Sequence, residues 1–194
     1  MRARAIVLAL AFGLGLAAAA PAQEAGLTLA AGGFFGNESV YRDIYGSSLP
    51  LTFEIWAKAK GSFGLAAGLC VIKDSGRALA VGGGEAEYPV DFRRTTIPVV
   101  AFYQLDLKAI HVRVGAGIGV HSYRELWTTG ENDFHGRKVS PRFVISASAR
   151  LVGRLSVVGS FVYESIQTGA GSVLSSDVDL GGFQFLGGLS LRVF

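Results

Sequence analysis

The chain has 194 residues, half of them apolar, with 18 basic and 15 acidic side chains, which suits one domain with one core. Arg2 and Arg4 belong to a leader, and without them the balance is 16 basic to 15 acidic, so charge gives no ground for nucleic-acid binding. The single Cys70 excludes an internal disulfide, and it lies too far from the leader to be the lipid-bearing first residue of a lipoprotein.

The leader comes first in chain order. Met1 to Arg4 is basic, Ile6 to Leu16 is apolar, and Ala17 to Ala22 is small residues and one proline. That sequence of regions reads as a secretory signal peptide over 1–22, cleaved after Ala22, with the mature domain at 23–194. The apolar stretch, roughly 11–16 residues, falls short of the ~20 that a spanning helix needs.

The mature chain alternates apolar and polar residues, the period-two signature of strands with two unlike faces. Strands are predicted around Leu27–Gly33, Leu51–Ala57, Phe63–Val71, Arg94–Gln104, Ile110–Tyr123, Arg142–Leu151, Leu155–Glu164 and Phe183–Val193. The fifth is the clearest. Ile110, Val112, Val114, Ala116, Ile118 and Val120 share one face, while His111, Arg113, Gly115, Gly117, Gly119, His121 and Tyr123 share the other. Tight turns are expected near Ala59–Ser62, Asp106–Lys108 and Val152–Arg154. Long polar loops are expected at Gly36–Ser48, Asp74–Asp91, Leu126–Lys138 and Gln167–Asp177.

Eight strands with short turns at one end and long loops at the other describe an all-β, eight-stranded antiparallel up-and-down transmembrane barrel. A soluble lipocalin-like barrel would turn its apolar face inward. Here Arg, Glu and Ser share a face with glycine, which marks that narrow polar face as the lumen. Closure follows from the membrane, where no sheet edge can be left unpaired. Aromatics near strand ends (Phe34, Phe35, Phe63, Tyr103, Tyr123 and Tyr163) suit interfacial girdles wherever they point outward.

The segment Tyr41-Arg42-Asp43-Ile44-Tyr45-Gly46-Ser47 and the strand Leu51-Thr52-Phe53-Glu54-Ile55 carry a resemblance. So do Ile97-Pro98-Val99, the glycine run ending at Gly119 and the closing Gly-rich strand with Phe194. Over nearly all the mature chain, these resemble the outer membrane protein β-barrel domain family, small eight-stranded barrels of the OmpX and OmpA type. The resemblance implies an outer-membrane address and insertion by the barrel-assembly machinery, and implies no general activity. One departure concerns the carboxyl-terminal signal. The place two before Phe194 holds Arg192, and Leu189, Leu191 and Val193 are out of phase with Phe194; a terminal bulge would restore the phase.

The inward charges Glu54, Arg94, Arg113, Arg142, Arg150 and Glu164 form the expected lumen network. A turn centred on Gly153 sets Arg142 opposite Glu164 and Arg150 opposite Ser156, while Glu54 and Arg113 stand at similar heights on different walls. Trp56 is expected to fill the space beside Gly64. Eight-stranded interiors are normally filled by side chains, so the network reads as a plug, with a narrow pore as the rival. His121 has no evident serine partner, and a lipid-A-modifying or phospholipid-modifying enzyme needs nucleophile and base within hydrogen-bond reach; no catalytic residue is assigned. His111, His121 and His135 lack metal-ligand spacing. The glycine runs at 82–84 and 115–119 are neither phosphate loops nor dinucleotide fingerprints, so no metal or cofactor is expected. Contacts with partners fall to the loops, with Tyr41, Arg42, Asp43, Tyr45, Trp127, Phe134, His135 and Arg137 as candidates. Loop-to-loop packing is the plainer use of the same residues. The expected surroundings are outer-membrane lipids, lipopolysaccharide included, with the protein a monomer.

Overall fold

The computed structural model describes residues 22–59, 61–79, 87–127, 133–167 and 179–194. The strands are β1 (Ala22–Gly36), β2 (Leu51–Ala59), β3 (Phe63–Leu79), β4 (Glu87–Leu107), β5 (Ile110–Trp127), β6 (Asp133–Val152), β7 (Leu155–Glu164) and β8 (Gly182–Arg192), with one helix, α1 (Ser39–Tyr45), between β1 and β2. Each strand pairs antiparallel with the next, and β8 closes on β1 from Gly26↔Arg192 to Gly36↔Gly182. The expected eight-stranded up-and-down barrel is therefore what the chain forms. Residues 1–21 lie outside the described residues, and Ala22, the last residue of the expected leader, opens β1.

The face assignment follows the alternation. Leu29, Phe53, Phe63, Ile118, Phe143, Ile145 and Phe185 stand outward and exposed, while Thr28, Thr52, Arg94, Gln104, Arg142, Glu164 and Gln184 are buried inward. An apolar surface continued around every strand is far larger than soluble proteins leave uncovered, and it fits the lipid-facing band of a spanning barrel. Among the described residues no helix is long and apolar enough to cross a membrane. Phe35, Phe63 and Tyr103 belong to the exposed exterior, whereas Phe34 is wholly buried.

The three tight turns fall where expected. Gly61 and Gly153 take positive φ of 108° and 55°, and Lys108 takes 49°. The long connections differ from expectation. Within the stretch 74–91, residues 74–79 and 87–91 are strand: β3 runs to Leu79 and β4 starts at Glu87, paired in unbroken register from Lys73↔Arg93 to Leu79↔Glu87. The stretch 126–138 likewise becomes strand again at Asp133. Polar side chains there mark where strands leave the apolar band, not where backbone pairing stops. These two hairpins carry the sheet well past the ends of β1, β2, β7 and β8.

Between β1 and β2 the polypeptide folds back into the mouth. In α1, Tyr41 and Tyr45 are one turn apart on one face, and both are buried. Gly46, at φ 66°, ends the helix by donating its N–H to the Arg42 carbonyl at 2.8 Å. Tyr41 and Tyr45 join Phe34, Cys70, Ile72, Val90, Phe92, Ile166 and Leu180 in one apolar cluster. The Tyr41 hydroxyl donates to Asp74 at 2.8 Å, and Ser48 also donates to Asp74.

The terminal phase problem is settled locally. Val193 donates its N–H to the Ala25 carbonyl at 2.7 Å, while Ala25 donates to the carbonyl of Phe194 at 3.1 Å. Two residues thus oppose one, the count of a β-bulge, and both Val193 and Phe194 are exposed. The side chain of Arg154 reaches across to the Val193 carbonyl at 2.7 Å.

Candidate functional site

The lumen is filled in three tiers. At the turn end, Arg113 lies over the Trp56 ring at 3.8 Å and near the Phe102 ring at 4.8 Å, cation–π geometry that holds a guanidinium flat among aromatics. Its Nε donates to Gln104 at 2.8 Å, and Gln104 donates to Asp106 at 2.7 Å. The Trp56 indole N–H donates to Ser190 at 3.2 Å. Lys58 pairs with Glu24 at 2.9 Å, so the ammonium that alternation sends inward is matched. The room for Trp56 comes from Gly26, where an added Cβ would lie 2.6 Å from the indole. Gly64, the expected donor of that space, is occupied by the Phe102 ring instead.

Above this tier is a cavity of about 50 Å³, lined among others by Glu54, Arg113, Arg142, Ser146 and Ser160, room for a few waters. Glu54 and Arg113 share the cavity walls, and no ion pair joins them. The second tier centres on Glu164, which is 0 % exposed. Its two oxygens accept from Arg94 and Arg142, each at 2.6 Å, and Gln184 donates to it at 3.0 Å. Arg142 sits directly opposite Glu164 and Arg150 opposite Ser156. Arg94 also donates to the Leu180 carbonyl and lies over the Phe34 ring at 4.6 Å. The α1 cluster forms the third tier.

Arg150 does not belong to this network. It is exposed beside the register shift between Arg150 and Val152, at the turn end of the barrel. His121 does have a serine near it, contrary to the sequence expectation. Its Nε2 lies 2.8 Å from the Ser140 hydroxyl and its Nδ1 2.9 Å from Thr96. The reason is register: β6 starts at Asp133, upstream of the stretch where its alternation is readable, and Ser140 lies in that upstream part.

Of the candidate loop contacts, Tyr41 and Tyr45 are inside the mouth and unavailable to partners. Arg42 is exposed, but its guanidinium ties down the loop, donating to the carbonyls of Gly36 at 2.8 Å and Asn37 at 3.0 Å. Asp43 is exposed. Trp127 is half-buried, 5.8 Å from the Tyr88 ring, and donates to Glu125 at 3.0 Å. Phe134 is half-buried, while His135 and Arg137 are exposed.

The sequence reading passed over Asp179. Its carboxylate accepts from the Asn37 side chain at 2.8 Å, from Ser165 at 3.0 Å, and from the N–H groups of Ile166 and Gly181 at 2.6 and 2.8 Å. It ties the ends of β1, β7 and β8 together at the mouth. Burial pushes its pKa up, but the Asn37 amide, the two N–H groups and Ser165 outweigh burial and hold the carboxyl below the ordinary aspartate range. A depressed folded pKa gives stability that is present above the unfolded value, about 3.9, and is lost as pH falls through the folded one. The protection of the Ile166 and Gly181 amides relative to their intrinsic exchange rate is therefore expected to decline below about pH 4. In Asp179→Ala their exchange is expected to be faster by about tenfold or more at neutral pH, since a lost hydrogen bond and its stranded donors cost about 1–3 kcal/mol. Unchanged exchange in that variant would remove the latch.

The chain matches no protein-family model and no curated protein. Its fold is shared with solved barrels. It is similar to Neisserial surface protein A with a TM-score of 0.61 at 13 % identity, covering 87 % of this chain and 96 % of that one. It is similar to the outer membrane protein OprG of Pseudomonas aeruginosa with a TM-score of 0.60 at 11 % identity, covering 87 % and 93 %. Ail, the attachment invasion locus protein of Yersinia pestis, solved with the heparin analogue sucrose octasulfate, gives 0.53 at 10 % identity, covering 87 % and 97 %. At these identities the likeness is one of fold.

Proposed function

We propose that the protein is a non-enzymatic barrel of the bacterial outer membrane, exported with loss of its leader near Ala22, whose lumen is sealed and whose work is done on its outer surface. The observation that carries this reading is the stacking of fillings inside an apolar band. The Trp56–Arg113 tier, the Glu164 tier and the α1 cluster lie one above another among the described residues, and that stacking supports a sealed lumen. An eight-stranded interior is narrow enough for such side chains to fill it. On this reading the turn end faces the periplasm and the tall β3–β6 hairpins face outward. The surrounding partners are outer-membrane lipids, with the barrel-assembly machinery during insertion.

The enzyme reading is weaker because His121 and Ser140 are sealed from substrate at 0 % and 4 % exposure. The second ring nitrogen of His121 meets Thr96, where a catalytic dyad would place the hydrogen-bonded carboxylate that orients the imidazole. The pore reading is tested directly by adding purified, folded protein to a planar bilayer. No stepwise conductance is expected; reproducible single-channel steps would replace the sealed-lumen account with a pore.

A further inference from the structure

The outward face of β3–β6 changes character in register. One row, Ile97–Val120–Val139, is apolar and directly cross-paired. The next row toward the loop end is Val71–Thr95–Ser122–Arg137, and the one after it is Lys73–Arg93–Arg124–His135. Lys73, Arg93, Arg124, His135 and Arg137 are all exposed. Four strands thus set a line of basic side chains immediately beyond the apolar band, with neighbouring strands about 4.8 Å apart. The line is one-sided. At the same end, β1 and β8 present Phe35, Phe183 and Phe185 outward, and the outward positions of β2 and β7 offer Leu51 and Tyr163.

Like charges directly opposite on a sheet repel, and Lys73 and Arg93 are directly opposite. Among the described residues neither they nor Arg137 have a carboxylate partner. The acids in the following row are Asp91, whose carboxylate accepts from Ser75 at 2.7 Å, and Asp133, which occupies the register position opposite Leu126. A row of cations held at fixed spacing in the first two rungs above a lipid-facing band is complementary to the phosphates of lipid headgroups. We propose that this face binds the phosphorylated headgroup of an outer-leaflet lipid, with Lys73, Arg93 and Arg137 as principal contacts and Arg124 and His135 extending the row. The proposal rests on the membrane reading above and adds to it a side of the barrel and a ligand chemistry.

The test uses folded full-length mature protein in neutral detergent micelles. The probes are bisphosphorylated lipid A, the same lipid after removal of both phosphates, and inorganic phosphate alone. Wild type is expected to bind the bisphosphorylated lipid, and Lys73→Gln/Arg93→Gln to bind it about thirtyfold more weakly, since each basic residue near an anionic surface contributes roughly a factor of five. Arg150→Gln/Arg154→Gln, at the opposite end, should bind as wild type does. Equal binding by the Lys73/Arg93 variant, or equal binding of dephosphorylated lipid by wild type, overturns the proposal. Inorganic phosphate binding as tightly as lipid A overturns the lipid as the source. Cold-gel mobility before and after boiling reports folding in each variant, so a failed barrel is told apart from a failed site.

Discussion

Glu164→Ala is expected to lower barrel stability by about 3–5 kcal/mol, because it leaves two buried guanidinium groups without the carboxylate that pairs with both. Arg94 and Arg142 are 1 % and 3 % exposed, so neither reaches bulk water in place. Glu164→Gln should lose nearly as much, since it keeps the shape and removes the charge. Adding Arg94→Met and Arg142→Met to Glu164→Ala should recover much of the loss, as apolar replacements of a buried ion cluster often do. The measurement is the urea midpoint in lipid vesicles, read by the gel shift between folded and boiled forms. A Glu164→Ala midpoint equal to wild type would mean that the charge cluster contributes nothing to closure.

The second large effect separates glycines that look alike in the sequence. At Gly117 an added Cβ would lie 2.0 Å from the Val99 carbonyl oxygen and 2.7 Å from the Val100 Cα. That is backbone, which cannot swing aside, and the strands would have to part. Gly117→Val is expected to cost about 3 kcal/mol or more, the upper range of overpacking, or to prevent closure altogether. Gly159 points outward with nothing within 4 Å of an added Cβ. Gly159→Val should change stability by less than about 0.5 kcal/mol. Similar unfolding midpoints for the two variants would contradict the inward packing of β5 against β4.

Most of the barrel was legible because the alternation is strict where lipid and lumen lie on opposite faces, as in Ile110–Tyr123. The pairing of Arg142 with Glu164 was legible for the same reason, since a short turn at Gly153 makes register a matter of counting. Legibility failed where the two environments stop differing. Beyond Val71 and before Arg94 both faces are polar or mixed, so the strand signal vanishes although pairing continues, and the Lys73–Arg93 row stayed hidden with it. Tyr41 and Tyr45 read as loop aromatics because nothing local tells a seven-residue helix that folds inward from a loop that reaches out. Asp179 carried no signal at all: its four donors come from three separate stretches of chain, and only closure brings them together.

The sealed lumen can be tested with the protein's own thiol. Cys70 is the only cysteine, faces inward at 1 % exposure within the α1 cluster, and has its Sγ 3.7 Å from Gln184. A membrane-impermeant maleimide applied to the folded barrel in lipid vesicles should leave Cys70 unlabelled over hours, while the boiled, unfolded chain reacts fully. Prompt labelling of the folded barrel would mean that water and solutes reach the lumen, and the sealed account would give way to an open one.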